Sequence, residues 1–126
     1  MGKPSRALLS SILREEFRRE LQLSPVEISR LCAMGIITSF NHRHDNQILK
    51  EERQRVLSEY TPEHLRSLAQ DILSVGQAAT LLRVDREKIH ILHRAGRLKL
   101  TTFGKDQLCY RSEVEGCRDD PIVSRA

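Results

Sequence analysis

Leu73 to Arg111 reads LSVGQAATLLRVDREKIHILHRAGRLKLTTFGKDQLCYR, and the rest of the chain is organised around it. Ser74-Val75-Gly76-Gln77 has the spacing of a capping box, in which hydroxyl and amide side chains serve each other's backbone N–H groups, so a helix opens there. Asp85 caps a second, basic helix that turns Ile89 and Leu92 inward, with His93 beside them, and stops at Gly96, where a left-handed residue is needed. Leu98 to Phe103 reads as a strand, Gly104-Lys105-Asp106-Gln107 as a tip, and Leu108-Cys109-Tyr110 as the return. The predicted order is helix, tight turn, helix, two-stranded hairpin.

Outward from that stretch the same vocabulary recurs. Residues 1–5 are expected to be loose. From Arg6 to Gln22 the apolar positions Leu8, Leu9, Ile12, Leu13, Phe17 and Leu21 recur every three or four residues, which predicts an amphipathic helix. Ser24-Pro25-Val26-Glu27 is a capping box with proline at the first helical position, and that helix should end at Gly35. Ile36 to Phe40 reads as a strand, NHRHDN as a polar turn and Gln47-Ile48-Leu49 as its return. A charged helix follows from Lys50 to Tyr60, with Val56 and Leu57 inward. Thr61 and Pro62 start another, with Leu65, Leu68, Ala69 and Ile72 as its apolar face. Ser112 starts a last short helix. The terminal GCRDDPIVSRA, residues 116–126, is expected to be a disordered tail.

Sliding the chain on itself by 61 residues brings its halves into register without a gap. Leu21 meets Leu82, Ile28 meets Ile89, Leu31 meets Leu92, Gly35 meets Gly96, Asp45 meets Asp106 and Glu52 meets Glu113. The caps Ser24 and Asp85 also coincide. Six identities are few, but they fall on cap, core, helix-stop and turn positions, where a fold makes demands. The predicted architecture is mainly α with small β-hairpin wings, as two tandem domains over residues 6–60 and 61–115.

Composition bounds what these domains do. The chain has 126 residues, 39% hydrophobic and 30% charged, and no Trp, so its cores are built from Leu, Ile, Val and Ala. Three cysteines without a CxxC pair argue against a disulfide scaffold or zinc finger. Neither His42-x-His44 nor His90-x-x-His93 has a Cys at ligand spacing, so no metal is expected. There is no phosphate loop, nucleophile elbow or paired-carboxylate signature, so neither catalysis nor a cofactor is expected. No apolar run approaches a membrane span, which predicts a cytoplasmic, nucleoid-associated protein with no membrane partner and no small-molecule ligand. The net charge of +4 favours nucleic acid. Residues 73–111 carry eight basic against three acidic residues, net +5, whereas residues 12–50 carry six against five, net +1.

Two helices and a hairpin in this order are one of the ways a small domain offers a helix to the DNA major groove. The second half resembles the excisionase and MerR-type winged helix-turn-helix domains. The resemblance rests on Leu73-Ser74, Ala78-Ala79, Leu81-Leu82, Val84, Arg86, Ile89, Leu92, Gly96-Arg97-Leu98 and Phe103-Gly104-Lys105, with Gln77, Asp85 and Lys88 where Glu, Ser and Thr are usual. The first half follows the pattern by spacing only and lacks the Ala-Ala pair. The resemblance implies a small bacterial or phage DNA-binding protein: a transcriptional regulator, a director of recombination, or a DNA-packaging subunit.

On the helix from Arg86, the outward residues Arg86, Lys88 and His90 are the expected base readers, since the start of such a helix approaches base edges. Arg94, Arg97 and Lys99 suit phosphates, and Lys105 at the wing tip suits a minor groove. In the first half the matching helix surface is Pro25, Val26, Ser29, Arg30 and Ala33, which is poor in base-reading groups. Arg30 and the tip residues His42 and Arg43 are its candidate contacts. The leading expectation is sequence-specific binding of double-stranded DNA, with self-association on DNA open. The alternative is a protein-interaction adaptor or packaging subunit using the same fold, its basic residues being ordinary solvated charges.

Overall fold

In the computed structural model, residues 11–124 are described, and the chain divides into two compact units, Met1–Ala69 and Gln70–Ala126. In the first unit the order is β1 (Ser11–Leu13), α1 (Arg14–Leu21), α2 (Pro25–Ala33), β2 (Phe40–His42), β3 (Asp45–Leu49), α3 (Lys50–Glu59) and α4 (Pro62–Gln70). The second comprises β4 (Ile72–Ser74), α5 (Val75–Leu82), α6 (Arg86–Arg94), β5 (Thr101–Phe103), β6 (Asp106–Tyr110), α7 (Arg111–Gly116) and α8 (Pro121–Ser124). Each unit holds a three-stranded antiparallel sheet with the long return strand in the middle, in the order β1-β3-β2 or β4-β6-β5. Helices dominate elsewhere, so the chain is mainly α with small β-sheets.

The 61-residue offset holds in three dimensions. Adding 61 to the bounds of β1, α1, α2, β2 and β3 gives the bounds of β4, α5, α6, β5 and β6, and α3 and α7 begin in the same register. Backbone singularities repeat too. Gln22 and Arg83 end their helices left-handed at φ 57° and 59°, and Gly35 and Gly96 do so at 77° and 75°. Those φ values explain the two glycines, since a Cβ there meets the carbonyl oxygen. Ser24 and Ser74 both close complete capping boxes, and Asp85 accepts from the Lys88 N–H at 3.2 Å. Glu52 accepts the Thr38 N–H at 2.7 Å, and Glu113 accepts the Lys99 N–H at 3.3 Å. The repeated glutamate therefore ties the chain leaving the second helix to the helix after the hairpin, in both units.

Several expectations need correction. Ile12 and Leu13 lie in β1, not in a helix, because they pair with Ile48 and Gln47. Residues 1–10 lie outside the described part, and with them the expected loose start and the first turns of that helix. Ile36–Ser39 and Leu98–Leu100 are connectors outside any strand, bent at Ile36, Ile37 and Leu98, although Ile37 and Leu98 are buried. Leu57 is 39% exposed, so Val56 alone anchors that face of α3. Ile72 sits in β4 opposite Tyr110, not on the preceding helix. The boundary falls after Ala69 and not at residue 60; α4 sides with the first unit, where Arg66 donates to the Gln22 carbonyl at 3.0 Å.

Nor is the segment after Gly116 a loose tail as far as Ser124. Cys117 and Val123 are buried in the same core as Ile89, Leu92 and Val114. Asp120 accepts the Ile122 N–H at 2.9 Å and pairs with Arg97, while the Cys117 thiol lies 3.4 Å from the Arg97 carbonyl. Two apolar side chains and one carboxylate order a segment that its composition reads as polar.

Candidate nucleic-acid interface

Helix α6 spans nine residues, and its Ile89 and Leu92 are fully buried. Burying those two fixes the helix rotation, because side chains one turn apart share a face. Arg86, His90 and Arg94 then form an outward stripe at four-residue spacing. Arg86 and Arg94 are exposed, and Lys88 and His90 are half-exposed. A nine-residue helix is roughly 13 Å long, and its diameter of about 10–12 Å matches a major groove about 12 Å wide.

The hairpin brings a further predicted residue to this stripe. A groove lined by Ser74, Val75, Gly76, Arg86, His90, Lys105, Asp106 and Gln107 joins the start of α5, the outer stripe of α6 and the tip between β5 and β6. Gly104 has φ 60° and Phe103 pairs with Asp106, which makes a two-residue turn and places Lys105 at its end. Arg86, His90 and Lys105 therefore share one groove. Asp106 is the one carboxylate among these lining residues.

Cations on the second unit differ in how much of their charge is spent internally. Among the described residues the side chains of Arg86, Lys88, His90, Lys99 and Lys105 have no hydrogen-bond or ion-pair partner. Arg94 is paired with Glu87 at 3.1 Å, both side chains being about two-thirds exposed at 66% and 65%. Such a pair is worth little, and a phosphate can compete for the arginine. Arg97 is held by Asp120, whose side chain is only 10% exposed, so it braces α8. Lys99 is fixed through its backbone by Glu113, which leaves its ammonium free to project. His93, expected to face inward, is exposed instead; its Nδ1 lies 3.0 Å from the Leu98 carbonyl and fastens the connector.

The first unit spends its charge on itself. Arg18 pairs with Glu15, Arg53 with Glu20, and Arg55 with both Glu52 and Glu59. The Arg53 guanidinium holds the Glu20 carboxyl below its usual range, and Arg55, helped by the Thr38 N–H, does the same to Glu52. On α2, Val26 is 59% exposed where the second unit has Glu87, and Pro25 stands where it has Arg86. Arg30 is half-buried. Arg43 and His44 take the hairpin tip at φ 51° and 71°, and both are exposed, but His42 turns its Nε2 into the protein, buried and without a partner. Of the three candidates in this unit, only Arg43 is fully presented.

The thiols take no part in the groove. Burial, with Glu113 and Cys117 nearby, pushes Cys109 up to about 11, and burial also raises Cys117 and Cys32. Among the described residues no three His, Cys, Asp or Glu side chains gather where they could hold a metal, and no helix is long and apolar enough to cross a membrane.

Gly76 escaped the sequence reading as a site residue. Its signal was a glycine inside a helix where no turn requires one. No family model, curated protein or solved structure matches this chain.

Proposed function

We propose that both units are winged helix-turn-helix domains and that the protein is a sequence-specific double-stranded DNA-binding protein, acting as a small regulator or recombination director. The observation that carries the reading is the groove in which Arg86 and His90 of α6 meet Lys105 of the hairpin tip, with no anion among the described residues paired with any of the three. Such a surface accepts the phosphates and base edges of a duplex: the start of α6 enters the major groove, Arg86 meets a guanine edge in bidentate fashion, and Lys99 and Lys105 meet the backbone. The resemblance of residues 73–111 to the excisionase and MerR-type domains supports the same reading. In the first unit, Arg–Glu pairs and the exposed Val26 suit α2 to a protein contact better than to a base edge.

Fluorescence anisotropy with a labelled random duplex at about 50 and 200 mM salt tests the proposal. With three phosphate contacts, from Arg94, Lys99 and Lys105, the affinity should fall roughly 40-fold between the two conditions. No salt-dependent binding at the lower concentration would refute it.

A further inference from the structure

Gly76 is the second residue of α5, and its φ is not positive, so no turn demands a glycine there. Glycine inside a helix weakens it relative to alanine, so its presence calls for another cause. A Cβ at position 76 would lie 2.9 Å from Nη2 of Arg86 and 3.4 Å from both Cζ and Nε. The guanidinium is laid over the bare Cα of Gly76, and only the missing side chain lets it lie there. Among the described residues Arg86 has no hydrogen-bond or ion-pair partner, so neither kind of bond sets its direction. The first unit varies both partners together: 61 residues earlier, Glu15 stands for Gly76 and Pro25 for Arg86.

We infer that Gly76 is a positioning residue, which holds the Arg86 guanidinium in the groove beside His90 and Lys105, already aimed at the base edge it reads. The inference rests on the DNA-binding proposal above. A guanidinium held in place before binding loses less side-chain freedom when it pairs with guanine, and a bidentate contact tolerates little misalignment.

Gly76→Ala tests this without unfolding the unit, because the atoms in the way belong to the far end of a flexible side chain and alanine is the better helix former. The probe is a duplex selected from a random pool by the wild-type protein, compared with its single-base variants by anisotropy. Arg86→Ala should cut discrimination at one base pair roughly ten- to a hundred-fold. Gly76→Ala should cut it at the same base pair by at least about three-fold, and the double variant should lose no more than Arg86→Ala alone, as expected of residues acting through one contact. In the DNA-free protein, the Arg86 Nε–H resonance should shift in Gly76→Ala while the melting temperature holds or rises. Wild-type-like discrimination and an unmoved resonance in Gly76→Ala would overturn the inference and leave the DNA reading standing. A wild-type protein that discriminates among no duplexes would overturn both.

Discussion

Removing Glu52 by Glu52→Ala should destabilise the protein more than removing its counterpart, Glu113→Ala. Glu52 has a side chain only 13% exposed, receives the Thr38 N–H at 2.7 Å and meets Arg55 at 2.7 Å. A hydrogen bond to an ionised group is worth about 1.5–3 kcal/mol, and Arg55 keeps Glu59 when Glu52 is lost, so the expected cost is about 2 kcal/mol. Glu113 makes one longer bond, 3.3 Å to the Lys99 N–H, worth about 0.5–1 kcal/mol. Urea denaturation followed by circular dichroism reads both differences. The Glu52 effect also has a pH signature. Its folded carboxyl is held below the usual value near 4.5, so its stabilisation is complete above that value and is lost as pH falls through the folded one. The gap between wild type and Glu52→Ala should therefore narrow as the pH falls below about 4.5 towards the lower folded value. A gap that stays constant from pH 7 to 3, or a Glu113→Ala cost equal to that of Glu52→Ala, would refute the reasoning.

Val123→Ala, which removes two buried methyl groups from the second core, should cost about 1–2 kcal/mol in the same assay; a change below about 0.3 kcal/mol would mean that the terminal segment does not belong to that core. Cys109, with its thiol pushed up to about 11, should resist iodoacetamide at pH 8 in the native protein and react once urea unfolds it; equal rates would contradict its burial. The same raised value means that neutral Cys109 favours the fold below the ordinary thiol range near 9, a contribution lost as pH rises towards 11. Lys99→Ala and Lys105→Ala should each weaken binding to all duplexes alike and reduce the slope of log affinity against log salt by about 0.9; a loss confined to one sequence would make either residue a base reader.

Features that depend on neighbours in the chain were legible in the sequence. Ser24, Ser74, Asp85 and Thr61 cap the helices they were expected to cap, and Gly35 and Gly96 stop theirs. Each of these is a local rule with its own residue type. The 61-residue offset was readable for the same reason, since Glu52 and Glu113 coincide where one backbone N–H needs an acceptor.

What stayed hidden depends on partners far along the chain. β1 and β4 are three residues each, too short to display a period of two, and Ile12 and Leu13 fit a helical stripe equally well. Their strand character comes from pairing with β3, more than thirty residues later. The burial of Val123 depends on α6 and that of His42 Nε2 on the hairpin fold, and neither leaves a local pattern. The contact of Arg86 with Gly76 is of this kind too, showing in the sequence only as a glycine without a turn.

The most direct test of the central claim is selection from a random duplex pool, run in parallel for the wild type, Arg86→Ala and a Pro25→Ala, Val26→Ala variant. The expected result is an enriched motif that loses information at one guanine position in Arg86→Ala and keeps it when Pro25 and Val26 are changed. An unenriched wild-type pool, or equal losses in both variants, would contradict the assignment of DNA reading to α6.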